Sequence, residues 1–139
     1  MEISKAMHSP ARWVEAETPV GEVAKMMALE DIGAIPVGHD DRLIGMVTDR
    51  DIVSRVIAKG LDPAKTTAEQ AMTKGIVYCS THETIEDAVH LMDQKQIRRL
   101  PVLDDKKRLV GMLSLGDISH AVPRSMSGEL LHAVSAHHA

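Results

Sequence analysis

The sequence contains no phenylalanine, one tryptophan and one tyrosine. Surfaces that bind single-stranded nucleic acids stack the bases on several aromatic rings, so this composition argues against that class of protein. The net charge of −4 also excludes a strong basic field that would attract a nucleic-acid backbone. Nine methionines and many aliphatic residues remain to build a core of hydrocarbon and thioether groups.

Cysteine is almost as rare. Cys79 is the single cysteine, so the chain cannot form an intramolecular disulfide, and the reducing cytoplasm is the expected compartment. Cys79 and His82 supply only half of a zinc site, and we expect no metal site. No apolar run approaches the roughly 20 residues of a membrane helix, and the first ten residues lack the apolar segment of a signal peptide. We therefore expect neither a membrane nor a nucleic acid as a partner.

What the sequence does contain is an internal repeat. Residues 20–37 align with residues 85–102 at an offset of 65, and residues 43–52 align with residues 109–118 at an offset of 66. Copies of about 60 residues would be only marginally stable as independent domains. We therefore expect them to pack around a shared core with pseudo-twofold symmetry. The predicted division is residues 1–65 for the first copy and its connector, 66–123 for the second copy, and 124–139 for a tail.

Each copy shows the same order of patterns. The first helix of the first copy has apolar residues at i, i+3, i+4 and i+7, which are Val20, Val23, Ala24 and Met27. Two β-branched runs follow, at residues 35–37 and 43–47, and predict an antiparallel strand pair with Pro36 at a strand start or a bulge. With a short strand before each first helix and a second helix after the strand pair, the prediction is a β-α-β-β-α unit that occurs twice, an α/β (α+β) fold.

Several helix ends can also be predicted. Thr18 before Pro19 is typical of a hydroxyl N-cap, and Thr84 with Asp87 is typical of a capping box. A short helix at residues 66–72 can start from Thr66 with Glu69 or from Thr67 with Gln70, and residues 4–7 are its expected counterpart. The second helix of the first copy is expected to begin at Asp51, to end at Gly60 and Pro63, and to bury Ile52, Val53, Val56 and Ile57.

Each strand pair leads into a hydroxyl three residues before a carboxylate, namely Thr48 and Asp51 in one copy and Ser114 and Asp117 in the other. This spacing is first of all a helix capping box. The same groups can also hold a nucleotide. Open N–H groups at a helix start attract phosphate, the hydroxyl can donate to a phosphate oxygen, and the carboxylate can accept both hydrogens of a ribose diol. Gly45 and Gly111 would let a planar base approach the strand.

These two helix–(Ile/Leu)-Pro-Val–turn–Gly-x-x-(Thr/Ser)-x-x-Asp units resemble a tandem pair of CBS (cystathionine β-synthase-type) domains, a Bateman module, over roughly residues 1–122. The chain is similar to the small stand-alone bacterial type, which has no catalytic domain. The resemblance implies a non-enzymatic sensor of energy or redox state that binds adenosine-containing ligands (AMP, ADP, ATP, NAD(H) or S-adenosylmethionine) in the clefts between the repeats. It also implies a flat homodimer, with an unknown effector protein that reads the bound state.

Phosphate also needs cations, and the resemblance implies a histidine or arginine just before the Leu-Pro of the second copy. Arg99 is the closest match and Arg98 the next, whereas the first copy instead carries Arg50 inside its motif loop. Further lining residues follow from the resemblance, with Ala34, Ile35 and Arg12 against the nucleotide held by Asp117, and Thr73, Ile76 and Val77 near the one held by Asp51. The alternative is that the arginines are solvated or paired with acidic turns and that the lining residues are core.

Two other functions are weighed against nucleotide binding. The chain can be a ligand-free, stress-associated scaffold for interaction or dimerisation, in which Thr48 and Ser114 only cap their helices. An enzyme would need a nucleophile, base or metal constellation, and the sequence shows no such motif.

Overall fold

The computed structural model describes residues 1–9, 11–40 and 42–121. The predicted tail at residues 124–139 and the predicted helix stop at Pro123 lie outside these ranges. The chain forms two compact units. The first unit is residues 12–76, and the second unit combines residues 1–11 with the chain from Val77 onward. These boundaries differ from the division between the sequence copies at residues 65 and 66.

The first unit is built on a four-stranded sheet of order β1-β2-β3-β4. β1 runs parallel to β2, and the other neighbouring strands are antiparallel. Its elements are β1 (Val14–Glu15), α1 (Val20–Glu30), β2 (Ala34–His39), β3 (Arg42–Thr48), α2 (Asp49–Ile52), a π-helical turn (Val53–Ile57), α3 (Ala68–Ala71) and β4 (Thr73–Lys74).

The second unit repeats this plan on a three-stranded sheet of order β5-β6-β7. β5 is parallel to β6, and β6 is antiparallel to β7. Its elements are a 3-10 helix (Ile3–Lys5), β5 (Cys79–Ser80), α4 (Ile85–Lys95), β6 (Arg99–Leu103), β7 (Leu109–Ser114) and α5 (Leu115–Ala121). The β-α-β-β-α order predicted for each copy is therefore confirmed.

The unit boundaries follow from which backbone completes each sheet. β4 pairs with Gly45 and Met46 of β3, so a segment that the sequence division assigned to the second copy closes the first unit. In the second unit His8 lies beside Met112 of β7, with backbone hydrogen bonds of 2.8 and 2.9 Å. The N-terminal segment therefore does for the second unit what β4 does for the first.

The described residues contain two core clusters, one in each unit. In the first unit the largest fully buried side chains include Val20, Ile35 and Val47. In the second unit they include Ile85, Met92 and Leu113. Burial of an aliphatic side chain of this size contributes about 1.5–3 kcal/mol to the free energy of folding. The core of each unit therefore stabilises the elements that hold its own loop.

The capping boxes at Thr84 and Thr67 are confirmed, since each hydroxyl accepts from the backbone three residues on and each partner side chain accepts in return. The alternative start at Thr66 is wrong, because its hydroxyl donates to the Asp62 carbonyl. The N-cap predicted at Thr18 is also wrong. Pro19 is the N-cap residue of α1, and the N–H groups of Val20 and Gly21 reach the Thr66 and Pro63 carbonyls, which leaves Thr18 no amide to cap.

The second helix of the first unit begins at Asp49, two residues earlier than predicted, and passes into π-helical geometry at Val53. Ile52 and Val56 are buried as expected. Val53 and Ile57 are instead 60% and 55% exposed, because each lies one residue beyond a buried neighbour and therefore on a different side of the helix. Pro36 is the third residue of β2 and precedes a register shift after Val37, which agrees with the predicted position near a bulge.

Candidate functional site

In the first unit, β3 ends in a tight hydroxyl–carboxylate loop. The Thr48 Oγ1 accepts from the Asp51 N–H at 3.1 Å, and the Asp51 Oδ2 accepts from the Thr48 N–H at 2.9 Å. The Asp51 side chain is 13% exposed. The capping box is therefore complete, and it uses only one of the two carboxylate oxygens.

The second unit contains the same loop where β7 ends. The Ser114 Oγ accepts from the Asp117 N–H at 3.0 Å, and the Asp117 Oδ2 accepts from the Ser114 N–H at 3.0 Å. The Asp117 side chain is 22% exposed. In both units Oδ1 lies outside the capping box and each hydroxyl still has its proton to donate, since it acts only as an acceptor in the cap.

Open backbone amides are a smaller part of this site than the sequence predicted. In the first unit the N–H groups of Asp49, Arg50 and Asp51 donate to the Gly33 carbonyl, the Asp49 Oδ1 and the Thr48 Oγ1. In the second unit the Leu115 N–H donates to the Arg98 carbonyl. A phosphate at the first loop would therefore have to be held mainly by side chains.

The two glycines before the loops also have a different role from the predicted one. A Cβ on Gly45 would lie 2.5 Å from the Thr73 carbonyl oxygen and 2.5 Å from the Met72 Sδ. A Cβ on Gly111 would lie 2.8 Å from the His8 carbonyl oxygen. The adjoining backbone of the same unit already occupies the space beside each glycine, so no space is left there for a planar base.

Each outer carboxylate oxygen faces a nitrogen-bearing side chain that the sequence analysis missed. In the first unit the Arg55 Nη2 lies 3.8 Å from the Asp51 Oδ1, and the Arg55 Nη1 donates to the carbonyls of Ala71 and Met72 at 3.0 and 2.7 Å. In the second unit the His8 Nδ1 lies 3.5 Å from the Asp117 Oδ1. The i, i+4 spacing of Asp51 and Arg55 was a usable signal for the first pair, whereas a gap of more than 100 residues hides the second.

The three arginines that were predicted to bind phosphate lie in different surroundings. Arg99 is half-buried and lies directly across the β6–β7 pair from Ser114, so the two side chains share one face of the sheet. Arg50 is exposed in the loop and makes no ion pair among the described residues of its unit. Arg98 is exposed, and its carbonyl accepts from the Leu115 N–H. Arg99 is thus the predicted arginine that strand register places opposite a loop hydroxyl.

The predicted lining residues are less uniform. Ala34 lies across the strand pair from Thr48, which is the position that Arg99 has in the second unit. Ile35 is fully buried in the core and presents no surface to a ligand. The Arg12 Nε is paired with the Glu30 Oε1 at 3.0 Å. Thr73 is exposed in β4, Ile76 is half-buried, and Val77 is 37% exposed.

Three titratable groups away from the loops, Cys79, Asp87 and Asp104, have shifted pKa values. Burial raises the pKa of the Cys79 thiol to about 12, with a smaller contribution from the nearby Glu83 carboxylate. Hydrogen bonds from backbone N–H groups lower the pKa of Asp87 and of Asp104. Among residues 1–9, 11–40 and 42–121, no group of three or more potential metal ligands comes together, and no helix is both long and apolar enough to cross a membrane.

Residues 2–58 and 68–124 match the CBS domain. The chain belongs to the CBS domain family. It is 39% identical to Hypoxic response protein 1 of Mycobacterium tuberculosis over 112 residues. The aligned region covers 80% of this chain and 78% of that protein.

Solved structures of CBS proteins agree with this fold. The crystal structure of Hypoxic Response Protein I with two coordinated zinc ions superposes with a TM-score of 0.79 at 36% identity, covering 88% of this chain and 100% of that one. The structure of CBSX2 in complex with AMP superposes with a TM-score of 0.73 at 24% identity, covering 86% and 94%. At that identity the second likeness shows the fold alone.

Proposed function

We propose that the two hydroxyl–carboxylate loops of this CBS pair bind adenosine-containing nucleotides and that the protein acts as a non-enzymatic regulatory sensor. The observation that carries the proposal is the duplication of one local geometry. In both units Oδ2 of the aspartate closes the capping box while Oδ1 and the hydroxyl proton stay outside it. A cap alone needs neither.

The chemistry of these groups suits a sugar phosphate. A carboxylate oxygen accepts charge-assisted hydrogen bonds from a ribose diol, and the hydroxyl of Thr48 or Ser114 can donate to a phosphate oxygen. Arg99 shares a sheet face with Ser114, and a guanidinium is well matched to phosphate. Arg50 is the corresponding candidate for the first unit. AMP, ADP, ATP, NAD(H) and S-adenosylmethionine all contain the adenosine that this arrangement would recognise.

Solved CBS structures that contain adenosine ligands support the proposed ligand class. One protein of the same fold was solved with AMP, and a CBS domain pair with a TM-score of 0.78 was solved with 5′-methylthioadenosine and S-adenosyl-L-methionine. A regulatory role then requires a partner that distinguishes the bound from the free state, because a ligand shifts an equilibrium only by its differential affinity. An effector protein, a homodimer and a cytoplasmic setting are parts of this proposal.

The test is calorimetric titration of the full chain with AMP, ATP, NAD and S-adenosylmethionine. Asp51→Asn combined with Asp117→Asn removes both outer carboxylate charges but keeps oxygens that can cap. Binding should be lost in this double variant. Asp87→Asn is the matched control, because Asp87 forms the same capping box at the start of α4 but has no place in the proposed sites.

The control should bind as the wild type does. Thermal melting gives a second readout, since a ligand at about 100 times its Kd stabilises a protein by about 2.7 kcal/mol. If none of the four compounds gives heat or a melting shift, the nucleotide proposal fails.

In that case the scaffold function is favoured, and one specific observation supports it. Val53 and Ile57 are more than half exposed on consecutive turns of one helix, which is a surface suited to a second copy of the chain.

A further inference from the structure

Arg55 makes contacts that the helix cap of the first unit does not require. It lies in the π-helical turn Val53–Ile57, and its Nη1 donates to the backbone carbonyls of Ala71 and Met72 at 3.0 and 2.7 Å. Two carbonyl acceptors on one nitrogen fix the position of the planar guanidinium. The other nitrogen, Nη2, is thereby held 3.8 Å from the Oδ1 of Asp51.

This separation leaves the carboxylate supported but open. At 3.8 Å the two groups form an ion pair, yet the distance is too long for a hydrogen bond, so the lone pairs of Oδ1 remain available to a ligand. The other carboxylate oxygen, Oδ2, accepts from the Thr48 N–H at 2.9 Å. The Asp51 side chain is only 13% exposed, and a cation beside so shielded a carboxylate offsets the cost of keeping its charge there.

The second unit has a different residue at this position. When the offset of 66 that relates the two loops is continued, Ala121, the last residue of α5, takes the place of Arg55. The Oδ1 of Asp117 instead lies 3.5 Å from the exposed ring of His8. The two loops therefore share their capping box but differ in what supports the outer carboxylate oxygen.

We propose that Arg55 is a positioning residue of the first unit, which holds the Asp51 carboxylate so that its Oδ1 accepts hydrogen bonds from the ribose diol of an adenine nucleotide. In this role, which rests on the proposed nucleotide site, Arg55 acts through Asp51 and needs no contact with the ligand. Its effect should therefore depend on the ribose hydroxyls and should be confined to the first unit.

The experiment uses the full chain with one loop inactivated at a time. Asp117→Asn leaves the first loop to bind AMP, and Asp51→Asn leaves the second. In each of these parent proteins Arg55→Gln removes the charge but keeps an N–H that can donate to the carbonyls, whereas Arg55→Lys keeps the charge. Arg42→Gln is the matched control, because Arg42 is an exposed arginine at the opposite end of β3 from the loop.

Two ligands separate positioning from a general structural role. Calorimetric titration gives the Kd of AMP, and displacement of AMP gives the Kd of 2′,3′-dideoxy-AMP, which lacks both ribose hydroxyls. A disturbed fold would weaken the binding of both compounds, whereas a misplaced Asp51 carboxylate should weaken the binding of AMP alone. Urea unfolding of each variant shows that it is folded.

With the first loop active, Arg55→Gln should bind AMP about two- to five-fold more weakly than its parent, as expected for the loss of a partly solvated ion pair. It should bind 2′,3′-dideoxy-AMP as its parent does. Arg55→Lys should keep most of the AMP affinity. With the second loop active, Arg55→Gln should leave the Kd of AMP unchanged, and Arg42→Gln should leave it unchanged in both parents.

Four results would overturn the role of Arg55 while AMP binding itself stays intact. They are an unchanged Kd of AMP in Arg55→Gln, an equal loss for both ligands, an equal loss in the second unit, and Arg55→Lys as weak as Arg55→Gln. If the wild type binds AMP and the Asp117→Asn protein does not, the first loop is not a site and this role fails alone. If the wild type binds no AMP, the proposed function fails as well.

Discussion

A methyl group added at Gly45 should destabilise the first unit. The new Cβ would lie 2.5 Å from the Thr73 carbonyl oxygen and 2.5 Å from the Met72 Sδ. The thioether can move aside, but the carbonyl belongs to β4, which pairs with β3 at this position. Relief therefore requires a shift of paired backbone, and overpacking of this kind costs about 1–3 kcal/mol. We expect Gly45→Ala to lower the free energy of unfolding by that amount.

Gly21→Ala provides the matched control for this change. Gly21 lies in α1, and a Cβ there meets its nearest atom, the Pro63 carbonyl oxygen, at 3.6 Å, which is ordinary contact. Alanine in a helix is favoured over glycine by about 0.5–1 kcal/mol. The same chemical change should therefore destabilise at one position and be neutral or stabilising at the other.

Urea denaturation of the two variants beside the wild type measures both effects. A Gly45→Ala protein of unchanged stability that has lost nucleotide binding would contradict this prediction. Gly45 would then be needed for the approach of a ligand and not for the approach of β4.

Three further predictions concern groups outside the loops. Thr84→Ala should lower the free energy of unfolding by about 1 kcal/mol through the lost cap, whereas Thr18→Ala should lower it by less than half of that. Urea unfolding measures both changes, and equal losses would contradict the assigned helix starts. Cys79 should react with a thiol reagent at pH 8 far more slowly in the native protein than in urea, because burial raises its pKa to about 12. Since that folded-state pKa lies above the ordinary value of 9.0, stability should fall as the pH rises from about 9 towards 12, and Cys79→Ala should reduce this fall. The pKa values of Asp87 and Asp104 are lowered, so their contribution is present above the ordinary carboxylate range and is lost as the pH falls below it. Replacing both by Asn should make the acid unfolding curve shallower, and an unchanged curve would exclude them as contributors.

The sequence was sufficient for the features that depend on local spacing. A capping box joins residues three apart, so the loops at Thr48 and Ser114 and the box at Thr84 could be predicted from residue type, and Thr67 was one of two candidates for the start of its helix. The duplication made the strand order of the second copy follow from that of the first. These predictions needed no knowledge of which segments meet in space.

The predictions that failed depend on contacts between segments far apart in the chain. Thr18 has the residue type of an N-cap, but carbonyls more than 40 residues away reach the amides that it would have bonded. The closeness of His8 to Asp117 depends on a backbone bridge to β7, and backbone hydrogen bonds are indifferent to side-chain identity, so no sequence pattern marks it. The use of Gly45 by β4 was hidden for the same reason.

The most direct test of the account is a crystal structure of the full chain with AMP bound. A ribose hydroxyl should lie within about 3.2 Å of the Oδ1 of Asp51 or Asp117, with the phosphate near the hydroxyl of the same loop. AMP bound elsewhere on the surface, with both Oδ1 atoms left to Arg55 and His8, would contradict it.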